Sequence, residues 1–225
     1  MRTAKRLVLA VVVLAVLAVG GTFVYINVIR EDAPDELSLE AEETTEPGDD
    51  PGDVSGTWTA GAGSQVGYRV DEILFGQDAE AVGRTDDVSG TLVIEGTTVE
   101  SVSMEADMTT VASDQERRDN QFKGRIMDVE RYPTATFELT EPIDLGTLPP
   151  VGEVVEHEAT GDLTLHGTTK PVTFTLEAKR TATSIEVNGS IPVVFADYGI
   201  PNPSFGPIST DDNGVMEFLV VYTRG

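Results

Sequence analysis

Cysteine is absent from this sequence, which excludes disulfide stapling, a thiol nucleophile and an N-terminal lipid-modified cysteine. Histidine occurs only as His157 and His166. An odd separation on one continuous strand points the two rings to opposite faces, where they cannot share a metal ion. No glycine-rich phosphate loop, G-x-S-x-G elbow or H-E-x-x-H pair occurs, so neither enzymatic chemistry nor a cofactor or metal is expected. Bases are scarce too: 15 Lys and Arg stand against 39 Asp and Glu, for a formal charge of −24. Such a surface repels phosphate backbones, so nucleic acid is not an expected partner.

What is present divides the chain by composition. Arg2, Lys5 and Arg6 precede an apolar run from Leu7 to Ile29. About 20 apolar residues in a helix cross a bilayer, and flanking bases stay on the cytoplasmic side. Residues 1–6 are thus expected as a cytoplasmic basic end and 7–29 as a transmembrane signal anchor. The chain beyond would lie outside the cytoplasm at the cell membrane. The alternative is a cleaved signal and a secreted domain; its apolar region is ordinarily about 7–15 residues long. Residues 30–56 follow, acidic and broken by Pro34, Pro47 and Pro51, with few apolar side chains to bury. They are expected to form a disordered linker, spanning roughly 28 Å if they behave as a random coil.

From residue 57 to 225 the hydropathy has period two. Val102, Met104, Ala106 and Met108 alternate with polar neighbours, as do Ala135, Phe137 and Leu139. The same holds for Val172–Ala178, Ile185–Phe195 and Met216–Tyr222. Alternation buries one face of a strand and leaves the other in water. With 64–70, 88–95 and 158–165, about eight antiparallel strands result. Glu95-Gly96, His166-Gly167 and Asn213-Gly214 are turn signals between them. An all-β domain of this kind is a sandwich or a closed barrel, and periodicity does not separate the two. Small inner residues such as Gly161, Ala178 and Gly189 leave room for a cavity.

One segment departs from period two. Ser113-Asp114-Gln115-Glu116 fits a capping box, with Ser113 as N-cap and Glu116 reaching back, so a short helix is expected over about 114–125. Arg117, Arg118 and Asp119 suggest an anion site on the helix or, the favoured reading, a solvated helix face with local ion pairs. Asn188-Gly189-Ser190 matches a glycosylation triplet but falls within a strand. His166 has a structural role open to it, closing its turn through a ring-to-backbone hydrogen bond.

Several of these motifs together resemble the YceI-like family. Arg118-Asp119, Phe122, Ile126-Met127-Asp128-Val129 and Tyr132-Pro133-Thr134-Ala135-Thr136-Phe137 are similar to its arginine-aspartate, helix, tyrosine-proline signature. Thr160–Val172, with its Leu165-His166-Gly167 and Thr169-Lys170-Pro171 runs, matches the family's central segment. Asp197-Tyr198-Gly199-Ile200 resembles an element near its end. The resemblance covers about Thr57 to Tyr222 in the family's order. It departs at Val66–Glu72, which lacks the histidine many relatives carry after the first long strand.

The resemblance implies an antiparallel lipocalin-like barrel that holds a polyisoprenoid, isoprenoid quinone or similar long-chain lipid at the bacterial cell envelope, for carriage, storage or sequestration. The inner-face residues Tyr68, Leu92, Ile94, Met104, Met108, Phe137, Phe174, Phe195 and Phe218 are the candidate lining, and no residue is expected to be catalytic. The alternative is a membrane-tethered structural or adaptor domain with a filled core and no ligand. A lipid-acting hydrolase or isomerase is the weakest reading, with His166 its best candidate. Nothing in the sequence speaks against a dimer.

Overall fold

The computed structural model describes residues 33–39, 52–74, 76–206 and 208–224. Its strands in chain order are β1 (Gly56–Ala60), β2 (Gln65–Leu74), β3 (Gln77–Thr85), β4 (Val88–Glu95), β5 (Thr98–Asp107), β6 (Ala112–Ser113) and β7 (Thr134–Leu139). There follow β8 (Ile143–Asp144), β9 (Val154–Leu165), β10 (Thr168–Arg180), β11 (Ser184–Val194), β12 (Ile208–Thr210) and β13 (Asn213–Arg224). Eight of them form a closed antiparallel ring in the order β1-β4-β5-β7-β9-β10-β11-β13, and β13 returns to β1. Closure decides for the barrel over the sandwich. The seam is short, pairing Trp58, Thr59 and Ala60 with Arg224, Thr223 and Tyr222. Beside it β2 pairs with β13, and β3 and β6 extend the wall.

Register follows the alternation read from the sequence. Leu163 is fully buried, Ala159 nearly so, and both face inward from β9. The β9–β10 hairpin turns through His166 and Gly167, at φ 49° and 72°. Positive φ at both central residues is what a type I′ turn requires, and it matches the twist of the flanking strands. Asn213-Gly214, by contrast, is no turn: both lie in β13, opposite Val194 and Val193. Gly214 is required there because a Cβ would come within 2.7 Å of Val70.

The helical excursion is shorter and differently capped than expected. Helix α1 covers Glu116–Gln121 and passes directly into a π-turn over Phe122–Ile126. Ser113 belongs to β6, opposite Gly83, so Gln115 stands at the N-cap without a side-chain bond. Asp119, not Glu116, reaches back, its Oδ1 accepting from Ser113 N at 2.8 Å and Ser113 Oγ at 2.6 Å.

Ala33–Leu39, inside the segment expected as a disordered linker, has no helix or strand but lies against the outer wall. Arg69 Nη2 donates to the Pro34 carbonyl at 2.7 Å, Arg84 Nη2 to that of Asp35, and Asn188 Nδ2 to that of Leu37 at 2.6 Å. Asn188, the residue of the glycosylation triplet, is consequently buried. Among the described residues no helix is long and apolar enough to cross a membrane. The run expected to do so, 7–29, lies outside them, as do residues 1–6.

Candidate ligand cavity

Two cavities occupy the barrel. The first, of about 150 Å³, is bordered by Leu92, Ile94, Met104, Phe137, Phe174 and Phe218, with Val54, Leu145 and Leu148 toward one end. It presents almost no polar surface, although Lys179, Arg180 and His157 stand at its border. Lys179 pairs with Glu186 at 3.0 Å, and Arg180 Nε donates to the Pro149 carbonyl. The second, of about 320 Å³, is bordered by Tyr68, Val70, Met108, Phe122, Ile126 and Phe195. Its wall also carries Glu72, Gln115, Arg117, Arg118 and Gln121. Val66 and Met216, one β-branched and one flexible side chain, border both cavities and stand at the boundary between them.

The nine aromatic and aliphatic positions singled out in the sequence therefore stand around the barrel interior. Leu92, Ile94, Met104, Phe137, Phe174 and Phe218 border the first cavity, and Tyr68, Met108 and Phe195 the second. Phe195 sits in a 3₁₀ turn (Phe195–Tyr198) rather than in a strand. Phe137, Phe174 and Phe218 form an edge-to-face row, with centroids 5.5 and 5.8 Å apart. Two of the small residues expected to leave empty space instead house these rings. A Cβ at Gly161 would collide with Phe137, and one at Gly189 would lie 2.8 Å from Phe218.

At the second cavity's polar side Arg118 is only 17% exposed and meets two carboxylates, Asp114 and, at 3.6 Å, the buried Glu72. The arginine read as part of a solvated helix face is thus turned into the barrel rim. Arg117 lies with its guanidinium over the Phe205 ring, 5.5 Å from the centroid. Tyr68 stacks on Phe122 at 4.9 Å, and burial holds its phenol above the ordinary value. His166 Nδ1 donates to the Tyr198 carbonyl at 3.2 Å, and its ring meets Tyr132 edge-on. The histidine fastens the β9–β10 turn to the 3₁₀ segment rather than closing the turn on itself. His157 is mid-strand in β9 at the first cavity, opposite Leu176. Among the described residues no group of three or more His, Cys, Asp or Glu is placed to hold a metal.

Glu72, Val54 and the Leu145–Pro149 border escaped the sequence reading. Glu72 stands at an inward position of β2, beyond the stretch 64–70 read as a strand, and its charge disguised it. Leu145 and Leu148 lie in a connection where no period applies.

Residues 58–221 match the YceI-like domain family. The chain belongs to the YceI-like family. A UPF0312 protein of Vibrio parahaemolyticus is 30% identical over 122 residues, 53% of this chain and 59% of the relative. A UPF0312 protein of Vibrio cholerae matches with the same identity and coverage. The chain thus spans less than two thirds of the length of these curated relatives. Among solved structures, a polyisoprenoid binding domain from Saccharophagus degradans superposes with a TM-score of 0.61 at 20% identity, covering 75% of this chain and 98% of that one. Burkholderia cenocepacia BcnA gives 0.54 at 19% identity, covering 71% and 96%. Both likenesses establish the YceI-like barrel as the fold.

Proposed function

We propose that this YceI-like domain is a binding protein for a long apolar lipid of the polyisoprenoid or isoprenoid quinone class, carried inside the barrel. The observation that carries the reading is the pair of adjoining cavities inside the barrel, the first apolar and the second apolar with one polar side. A filled core, the condition for a purely structural or adaptor role, is disfavoured by voids of about 150 and 320 Å³. An apolar cavity of roughly 150 Å³ accepts a benzene-sized group. A long tail would fill both cavities and swing Met216 aside. Each buried methylene contributes about 0.8 kcal/mol, offset by the cost of ordering the tail. Affinity then rises with tail length until the two cavities are full. The isoprenoid chemistry named for the Saccharophagus neighbour supports the same ligand class. Anchoring through Leu7–Ile29, with the barrel outside the cytoplasm at the cell envelope, belongs to this proposal.

Solvent extraction of the natively purified full chain, followed by mass spectrometry, tests the reading. The expected result is a co-purifying isoprenoid, or uptake of added prenols by delipidated protein that tightens from about 20 to 40 carbons. A lipid-free extract together with no uptake at any length overturns it.

A further inference from the structure

The two cavities differ in chemistry, and the difference defines an end for a ligand's head. The first presents almost no polar surface, whereas the second gathers Glu72, Gln115, Arg117, Arg118 and Gln121 on one side. An amphiphile that leaves its polar group in the first cavity strips it of water without replacing the lost hydrogen bonds. The head therefore belongs in the second cavity and the tail in the first.

The charges around that second cavity then select the kind of head. Arg118 is its half-buried cation, paired with Asp114 and, at 3.6 Å, with the buried carboxylate of Glu72. Arg117 is drawn over Phe205. An anionic head would lose water beside Glu72 and would have to prise Arg118 from carboxylates that already satisfy it. An uncharged head loses far less, and the amides of Gln115 and Gln121 can donate to its oxygens or accept from its hydroxyl.

Resting on the lipid-binding reading above, we infer that the second cavity is a head-group site for an uncharged, oxygen-bearing head, an alcohol or a quinone ring, and that it discriminates against phosphorylated isoprenoids. Delipidated full-length protein is titrated with a prenol, a prenylquinone and the prenyl monophosphate and diphosphate of matched tail length, with affinity read from Trp58 emission or native mass spectrometry. The uncharged ligands are expected to bind at least tenfold tighter than the phosphates. Glu72→Gln should narrow that gap severalfold by improving phosphate binding relative to prenol binding. Phosphates that bind the wild-type chain as tightly as the prenol overturn the charge selectivity and leave lipid carriage standing. A gap that Glu72→Gln leaves unchanged in a folded variant overturns the placement of the head beside Glu72. Failure of all four ligands to bind refutes the lipid reading itself and this inference with it.

Discussion

Tyr222 is only 2% exposed, and its hydroxyl donates to the Met104 sulfur at 2.7 Å across the first cavity. Burial pushes its phenol above the ordinary value near 10, as it does for Tyr68, where Asp119, Asp114 and Glu72 add to the rise and Arg118 opposes it. In both cases the folded protein holds its proton more tightly than the unfolded chain. Below pH 10 both states are protonated, and the full stability is present. Above it the unfolded chain sheds protons that the barrel retains, so stability falls at about 1.4 kcal/mol per pH unit for each such tyrosine. Tyr198 is raised by burial as well, and Tyr222→Phe removes one of these contributions. Urea titrations between pH 9 and 11.5 should show wild type losing stability more steeply than the variant, by about that slope. The variant should start about 0.5–1.5 kcal/mol lower at neutral pH, for the lost hydrogen bond. Equal alkaline slopes would mean that the Tyr222 hydroxyl is open to water.

The elements that alternation revealed are those with one dry face and one wet one. In β5, β7, β10, β11 and β13 the inward positions read off the sequence are those that face the barrel interior. β3 went unread because Gln77–Thr85 has no aromatic residue and only Val82 and Thr85 of the β-branched kind that marks a strand. The docking of Ala33–Leu39 was illegible for another reason: the wall holds its backbone carbonyls, which any sequence possesses. Arg69 and Arg84 are kept in place for this by Glu217, which is 4% exposed and accepts from Arg84 at 2.7 Å and from Arg69 at 3.4 Å, and by Glu80 at 2.7 Å from Arg69. A segment gripped at three points is a poor protease substrate, because cleavage waits for local release. Limited digestion of the full chain with a low-specificity protease should therefore spare 33–39. The double variant Arg69→Ala, Asn188→Ala should be cut there at least tenfold faster, with the barrel itself intact. Equal cutting rates would mean that the docked segment is released as often as it is held.

At the scale of the whole molecule the interior is two hydrophobic clusters rather than one. The larger gathers Phe122, Leu163, Phe174, Ile191 and Phe195; the smaller gathers Trp58, Leu92, Ile94, Val220 and Tyr222. Phe218, Leu139 and Ile143 pack against both, and the first cavity has lining from both. The smaller cluster also contains the seam, where β1 and β13 share three register pairs against twelve between β9 and β10. Empty space between two clusters weakens their cooperation, since atoms facing a void have no partners to transmit packing across it. Trp58 is the chain's one tryptophan, 7% exposed at the seam with Nε1 donating to the Val54 carbonyl at 2.9 Å, so its emission reports the smaller cluster alone. Far-UV circular dichroism reports the whole sheet. In delipidated protein the Trp58 transition should fall at a lower urea concentration than the dichroism transition. An isoprenoid tail spanning both cavities should fill the void, raise both midpoints and bring them together, because a ligand bound across two clusters stabilises only the state in which both are formed. Coincident transitions without lipid would make the barrel a single cooperative unit. Transitions that stay apart with lipid bound would confine the tail to one cavity.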